Sequence, residues 1–169
     1  AAALVANTMT IAHVGDSRAY LARRDEVIQL TEDHAWAAEQ VRRGMISVEE
    51  SEKHPLKHYL TRSLGAADDV SVDVADYPLQ DGDVLVLCSD GLTAHLLPDE
   101  ILACLHGTAG PQEAARTMVA LANERGGRDN VTVLVTEVGR FRRVPGMAAG
   151  LNLGHFARRR RPPRWAVAS

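Results

Sequence analysis

Short apolar runs, each ending or beginning at an acidic turn, set the pattern of the chain. Met9 to Val14 and Arg18 to Leu21 predict two strands joined at Gly15-Asp16-Ser17, and Glu26 to Leu30 extends them into a meander after the Ala22-Arg23-Arg24-Asp25 turn. Ahead of them, Ala1 to Ala6 reads as the start of a chain already inside a buried apolar element. Helical spacing follows: Thr31 predicts a cap for a helix carrying Ala35, Trp36, Ala38 and Val41, with a stop at Gly44. Ser47 with Glu50 three positions later predicts a capping box and a short helix over 48–53 that ends before Pro55, and 56–64 adds a turn or two. Ser71, Asp73 and Ala75 alternate with Val72, Val74 and Asp76, which predicts a half-buried strand. Val84 to Cys88 is almost continuously apolar and predicts a strand covered on both faces. Helices are predicted from Pro98, with Asp99 and Glu100 complementing the dipole, and over 112–123, where Ala115, Met118, Val119 and Ala122 share a face before Gly126-Gly127. Val131 to Val135 closes the set as a strand. This order of strands, helical insertion, strands, two helices and strand fits antiparallel sheet covered by helices better than a doubly wound parallel sheet.

At 169 residues, one domain with a single respectable core is expected. The first apolar stretch is too short and too interrupted for a membrane span and lacks the pattern of a signal peptide, so a cytoplasmic protein is expected. Cys88 and Cys104 are too few for a disulfide framework and read as buried, reduced thiols. The formal charge of -3 conceals an asymmetry: residues 1–139 hold all 22 acids against 11 Lys and Arg, net -11, whereas residues 140–169 hold 8 Arg and no acid. An acidic body opposes non-specific binding to nucleic acid and suits a site that gathers divalent cations. The basic segment, 139–169, with Arg158 to Arg161 beside two prolines, reads as a solvated, disordered tail.

Three acidic loops carry the candidate chemistry: Val14-Gly15-Asp16-Ser17-Arg18, Cys88-Ser89-Asp90-Gly91-Leu92 and Gly127-Arg128-Asp129-Asn130. Each sits at an end of an apolar run, so the three can converge at one rim of a sheet. Carboxylates gathered at strand ends pay desolvation and repel one another, and divalent cations relieve both costs. Each aspartate also has a plain use, since Asp-Ser and Asp-Gly are ordinary turn pairs whose carboxylates cap following amides. Arg18 is expected to pair with a carboxylate, and Asn130 to order its loop. The histidines lack zinc-site spacing: His54 and His58 are separated by Pro55, and His13 and His34 read as structural.

Taken together, His13-Val14-Gly15-Asp16-Ser17-Arg18, Leu30-Thr31-Glu32-Asp33-His34, His54-Pro55 followed by Leu60-Thr61-Arg62-Ser63-Leu64-Gly65, Cys88-Ser89-Asp90-Gly91-Leu92 and Gly127-Arg128-Asp129-Asn130-Val131-Thr132 resemble the metal-dependent serine/threonine protein phosphatases of the PPM type, especially bacterial members. The resemblance covers residues 1–138 and implies an α+β fold, a four-layer α/β/β/α sandwich of antiparallel sheets, incomplete on its N-terminal side because the early strands and the metal-bridging Asp-Gly pair of that family are not in this chain. Residues 35–64 would be a flap beside the site. The implied cofactor is Mn²⁺ or Mg²⁺ as a binuclear centre with a third ion in bacterial relatives: Asp90 and Asp129 match ligands of one metal of the pair, and Asp16 matches a ligand of the third. No catalytic side chain carries over. The implied activity, in the intact parent, is hydrolysis of phosphoserine and phosphothreonine in proteins by metal-activated water, with products of Ser/Thr kinases as substrates and no specific nucleic-acid partner. This chain alone is expected to be weak or inactive, and the alternative is a catalytically inactive phosphatase-like module with a binding or regulatory role.

Overall fold

The computed structural model describes residues 1–139. The expected basic tail therefore lies, but for Gly139, outside the described residues. The first hairpin joins β1 (Ala2–Val5) to β2 (Thr8–His13), turning at Ala6 with φ 53°. β2 alternates as a half-buried strand should, with Met9, Ile11 and His13 inward, and pairs antiparallel with β5 (Asp73–Pro78) so that His13 faces Asp73. The opening expectation fails at β1: it is an edge strand of this three-stranded sheet, with Leu4 46% and Val5 56% exposed.

A second sheet runs in the order β4 (Glu26–Gln29), β3 (Arg18–Arg23), β6 (Val84–Cys88), β7 (Val133–Glu137), all antiparallel. The meander is thus corrected in its first step. β2 and β3 do not pair, and the segment around Gly15-Asp16-Ser17 carries the chain from one sheet to the other. Only β3 and β4 form the expected hairpin, closed by Arg24 at φ 55°.

The strand code explains the two cores. Inward residues of both sheets, among them Met9, Ile11, Ala19, Leu21, Tyr77 and Leu85, fill the space between them. Alternate residues of the second sheet, Tyr20, Val86 and Cys88, point the other way and pack under α3 (Asp90–Thr93), α4 (Pro98–His106) and α5 (Pro111–Glu124). β6 is therefore covered on both faces, as its apolar run predicts. In α5 the buried line is Ala114, Met118 and Ala122, one i, i+4, i+8 stripe, displaced by a residue from the predicted face at its start. The result is two open antiparallel sheets face to face, flanked by helices.

Residues 35–64 hold α1 (Trp36–Arg42) and α2 (Val48–Lys53). The Ser47 capping box forms in both directions, Glu50 N–H to Ser47 Oγ at 3.2 Å and Ser47 N–H to Glu50 Oε2 at 2.7 Å. Thr31 does not cap α1; its hydroxyl accepts the Ala19 N–H at 3.1 Å, and α1 starts at Trp36 without a side-chain cap. The ends of this segment are stitched together by Trp36 N–H to Tyr59 O and Thr61 N–H to His34 O, each 2.8 Å. At the far end of the sheets, the Arg23 guanidinium donates to both oxygens of the buried Asp83, at 2.8 and 2.7 Å, and to the Pro78 carbonyl of the other sheet at 3.0 Å. Among the described residues no helix is long and apolar enough to cross a membrane.

Candidate metal centre

Strand register decides which loops share an edge. Arg18 at the start of β3 pairs with Cys88 at the end of β6, and Cys88 pairs with Val133 at the start of β7. Asp16 lies just before the first of these residues, Asp90 just after the second and Asp129 just before the third. Antiparallel pairing therefore delivers all three acidic loops to one end of the second sheet, opposite the Arg23–Asp83 ion pair.

Side chains at that edge differ in what they meet. Asp16 is half-buried, and its carboxyl is raised above the ordinary carboxylate value, first by burial and then by the charge of Asp90. The Asp90 carboxylate is thus close enough to disfavour the ionised form of Asp16. Asp90 opens α3, and its Oδ1 accepts the Gly91 N–H at 2.9 Å. Asp129 is exposed and its Oδ1 accepts the Asn130 N–H at 2.7 Å.

The loops bearing Asp90 and Asp129 are clamped through their backbones. Ser89 Oγ donates to Asn130 O at 3.0 Å and accepts the Thr132 N–H at 3.1 Å, while Ser89 N–H donates to Thr132 O at 3.1 Å. Gly91 is pressed so closely against this clamp that a Cβ there would lie 2.5 Å from the Asn130 carbonyl oxygen. Asn130 thus orders its loop through its main chain. Among the described residues no group of three or more His, Cys, Asp or Glu side chains is arranged to hold a metal ion. The structure brings Asp16 and Asp90 into electrostatic contact and fixes the Asp129 loop beside Asp90.

This donor set is consistent with a hard divalent cation. The Asp16–Asp90 pair offers oxygen ligands whose mutual repulsion and burial a cation such as Mg²⁺ or Mn²⁺ would offset. It falls short of a full coordination shell. Cys88, by contrast, is no nucleophile: burial pushes its thiol up to about 11. Both cysteines are free and buried, as expected.

Two features beside the edge were only partly legible in the sequence. Arg18 does pair with a carboxylate: it grips Asp33 in a two-pronged ion pair, Nε to Oδ1 at 2.9 Å and Nη2 to Oδ2 at 2.7 Å, and its third arm reaches the Tyr20 hydroxyl at 3.2 Å. His34, which the sequence offers as a cap or a hydrogen-bonding group near the flap, is fully buried, its ring centroid 4.8 Å from that of His13 with the planes tilted by 49°. The signal was present in Thr31-Glu32-Asp33-His34, where three of the four side chains turn inward to fasten β3, Arg18 and the Gly15 turn.

Comparison with known proteins shows the family of the chain. The family model described as Stage II sporulation protein E (SpoIIE) matches residues 4–139. The chain is 43% identical over 137 residues to serine/threonine phosphatase stp of Listeria innocua, covering 81% of this chain and 54% of that protein. It is 38% identical over 136 residues to protein phosphatase PhpP of Streptococcus pneumoniae, covering 80% of this chain and 55% of that protein. The chain spans about half the length of these curated relatives. Among solved structures, the S. agalactiae serine/threonine phosphatase matches with TM-score 0.77 at 38% identity, over 81% of this chain and 57% of that chain. The catalytic domain of serine threonine protein phosphatase PstP, solved in complex with 2 manganese ions, matches with TM-score 0.73 at 32% identity, over 82% of this chain and 57% of that chain. With the five acidic and basic motifs, the two facing sheets and these matches in agreement, the chain belongs to the PPM-type family of metal-dependent serine/threonine phosphatases.

Proposed function

We propose that this chain is the metal-site half of a protein phosphatase that hydrolyses phosphoserine and phosphothreonine in cytoplasmic phosphoproteins, in the intact parent. The observation that carries the reading is the Asp16–Asp90 pair, two carboxylates held near each other at a sheet edge with the Asp129 loop clamped alongside. Asp90 and Asp129 would hold one Mn²⁺ or Mg²⁺ of a binuclear centre, and Asp16 would contribute to a third ion. Such ions, when bound, supply Lewis acidity and lower the pKa of water for attack on phosphorus. The chain's own residues do the rest of the placing. The Ser89 clamp sets the spacing of the Asp90 and Asp129 loops, and Arg18, two residues after Asp16, is held by its ion pair with Asp33. The polar segment 35–64, closed on itself at Trp36 and Thr61, would stand as a flap that helps choose among phosphoproteins.

In the intact parent, Asp90→Asn should abolish Mn²⁺-dependent hydrolysis of a phosphothreonine peptide and leave the circular dichroism spectrum unchanged, because it removes a ligand and no core contact. Wild-type turnover by that variant at matched Mn²⁺ would overturn the assignment. One observation favours a second reading, a phosphatase-like module that binds without turning over: the described residues hold no complete group of three metal donors. A parent that binds phosphopeptide with no Mn²⁺-dependent product would select it.

A further inference from the structure

His34 has every polar group engaged, and two of its four partners belong to one residue. Its N–H donates to Gly15 O at 2.8 Å, and its Nδ1 accepts the Gly15 N–H at 3.1 Å. Its carbonyl accepts the Thr61 N–H at 2.8 Å, and its Nε2 faces Asp73 Oδ2 at 3.2 Å. Because an amide N–H can donate only to an unprotonated ring nitrogen, Nδ1 carries no proton, and the ring hydrogen of the neutral imidazole sits on Nε2, facing the carboxylate.

Gly15 stands immediately before Asp16 with φ 106°, a conformation open to glycine, and nothing lies within 4 Å of where a side chain would begin. Gly15 is buried, yet it has no side chain whose packing could fix the direction of its peptide. Its direction, and hence the direction in which the following aspartate leaves the backbone, is set by the reciprocal pair of bonds to His34. The same histidine takes the Thr61 N–H at the point where the 35–64 segment returns to the body.

We propose that His34 is the positioning residue of the Asp16 loop: by accepting the Gly15 N–H it aims the Asp16 carboxylate toward Asp90, and its carbonyl fastens the return of the 35–64 segment to the same point. This rests on the reading of Asp16 and Asp90 as cation ligands. A residue that merely filled space beside His13 would tolerate any isosteric replacement equally.

Two substitutions separate the roles. In His34→Asn the amide oxygen takes the place of Nδ1 and keeps an acceptor for Gly15, but no group reaches Asp73. In His34→Gln the longer amide reaches Asp73 and leaves the Gly15 N–H without its acceptor. Both lose the ring, so both should lower the urea midpoint. With the full chain and Mn²⁺ alone as probe, titration by calorimetry or by the free-Mn²⁺ paramagnetic resonance signal should place His34→Asn within about threefold of wild type and His34→Gln weaker by about tenfold or more. Amide exchange should follow the same split, with Gly15 protected in wild type and His34→Asn and unprotected in His34→Gln. Equal Mn²⁺ affinities in the two variants overturn the positioning role, whatever the amide shows. Mn²⁺ binding that Asp16→Asn leaves unchanged, or no binding by the wild-type chain, overturns the ligand reading and the positioning role with it.

Discussion

Gly91→Ala tests how the Asp90 and Asp129 loops are held, because the structure fixes the size of the perturbation. The added Cβ would lie 2.5 Å from the Asn130 carbonyl oxygen and 3.0 Å from its carbon, both main-chain atoms. Ordinary contact requires the Asn130 backbone to retreat by roughly 0.5–1 Å. That movement opens the Ser89 clamp, whose Oγ bonds to Asn130 O and Thr132 N are already 3.0 and 3.1 Å long. Overpacking costs about 1–3 kcal/mol, and each of the two weakened hydrogen bonds adds about 1 kcal/mol, so the expected loss is about 3–5 kcal/mol. Urea unfolding of the chain should show a lower midpoint at unchanged slope, and Mn²⁺ affinity should fall because the Asp129 loop has moved from Asp90. Ser89→Ala, which removes the clamp without the collision, should cost less, about 1–2 kcal/mol. A Gly91→Ala chain with the wild-type midpoint would refute the close approach.

Asp83→Ala at the opposite end leaves the Arg23 guanidinium partly buried without its carboxylate and frees the Gln80 N–H, so a loss of about 3–5 kcal/mol is expected by thermal or urea unfolding. Asp16→Asn removes a carboxyl whose ionised form is disfavoured by burial and by Asp90; the urea midpoint without metal should rise while Mn²⁺ affinity drops, and a lowered midpoint would contradict the pairing. His13 and His34 are both held below the ordinary histidine value of 6.5, chiefly by burial, so the unfolded chain binds more protons in that range. Stability is therefore fully present above pH 6.5 and is lost as pH falls below it, with a slope approaching about 1.4 kcal/mol per pH unit for each histidine. Urea midpoints at pH 7.5, 6.5 and 5.5 check the sign, and a His13→Phe chain, in which a buried ring with two unbonded nitrogens is replaced, should flatten the acid side.

Local patterns in the chain already determined most of the elements, because their causes are local. The Ser47–Glu50 capping box, the apolar run of β6 and the proline start of α4 each act over a few residues, and each is realised as read. The family motifs point to Asp16, Asp90 and Asp129 as candidate ligands, a reading that a metal titration would test. What the sequence left open depends on contacts between residues far apart in the chain. Strand partners are one such case: β2 and β3 are adjacent in sequence, yet each is drawn to a different sheet, by the β5 and β6 pairings, and the turn between them becomes the crossover that carries Asp16. Thr31 is another, since a hydroxyl suited to capping a helix is taken instead by the Ala19 N–H. His34 is the plainest. Alone in the sequence it is a polar residue ahead of a helix, and only the fold, by closing water out and bringing Gly15, Thr61 and Asp73 to its four polar groups, makes it the junction of the Gly15-Asp16 turn and the 35–64 segment.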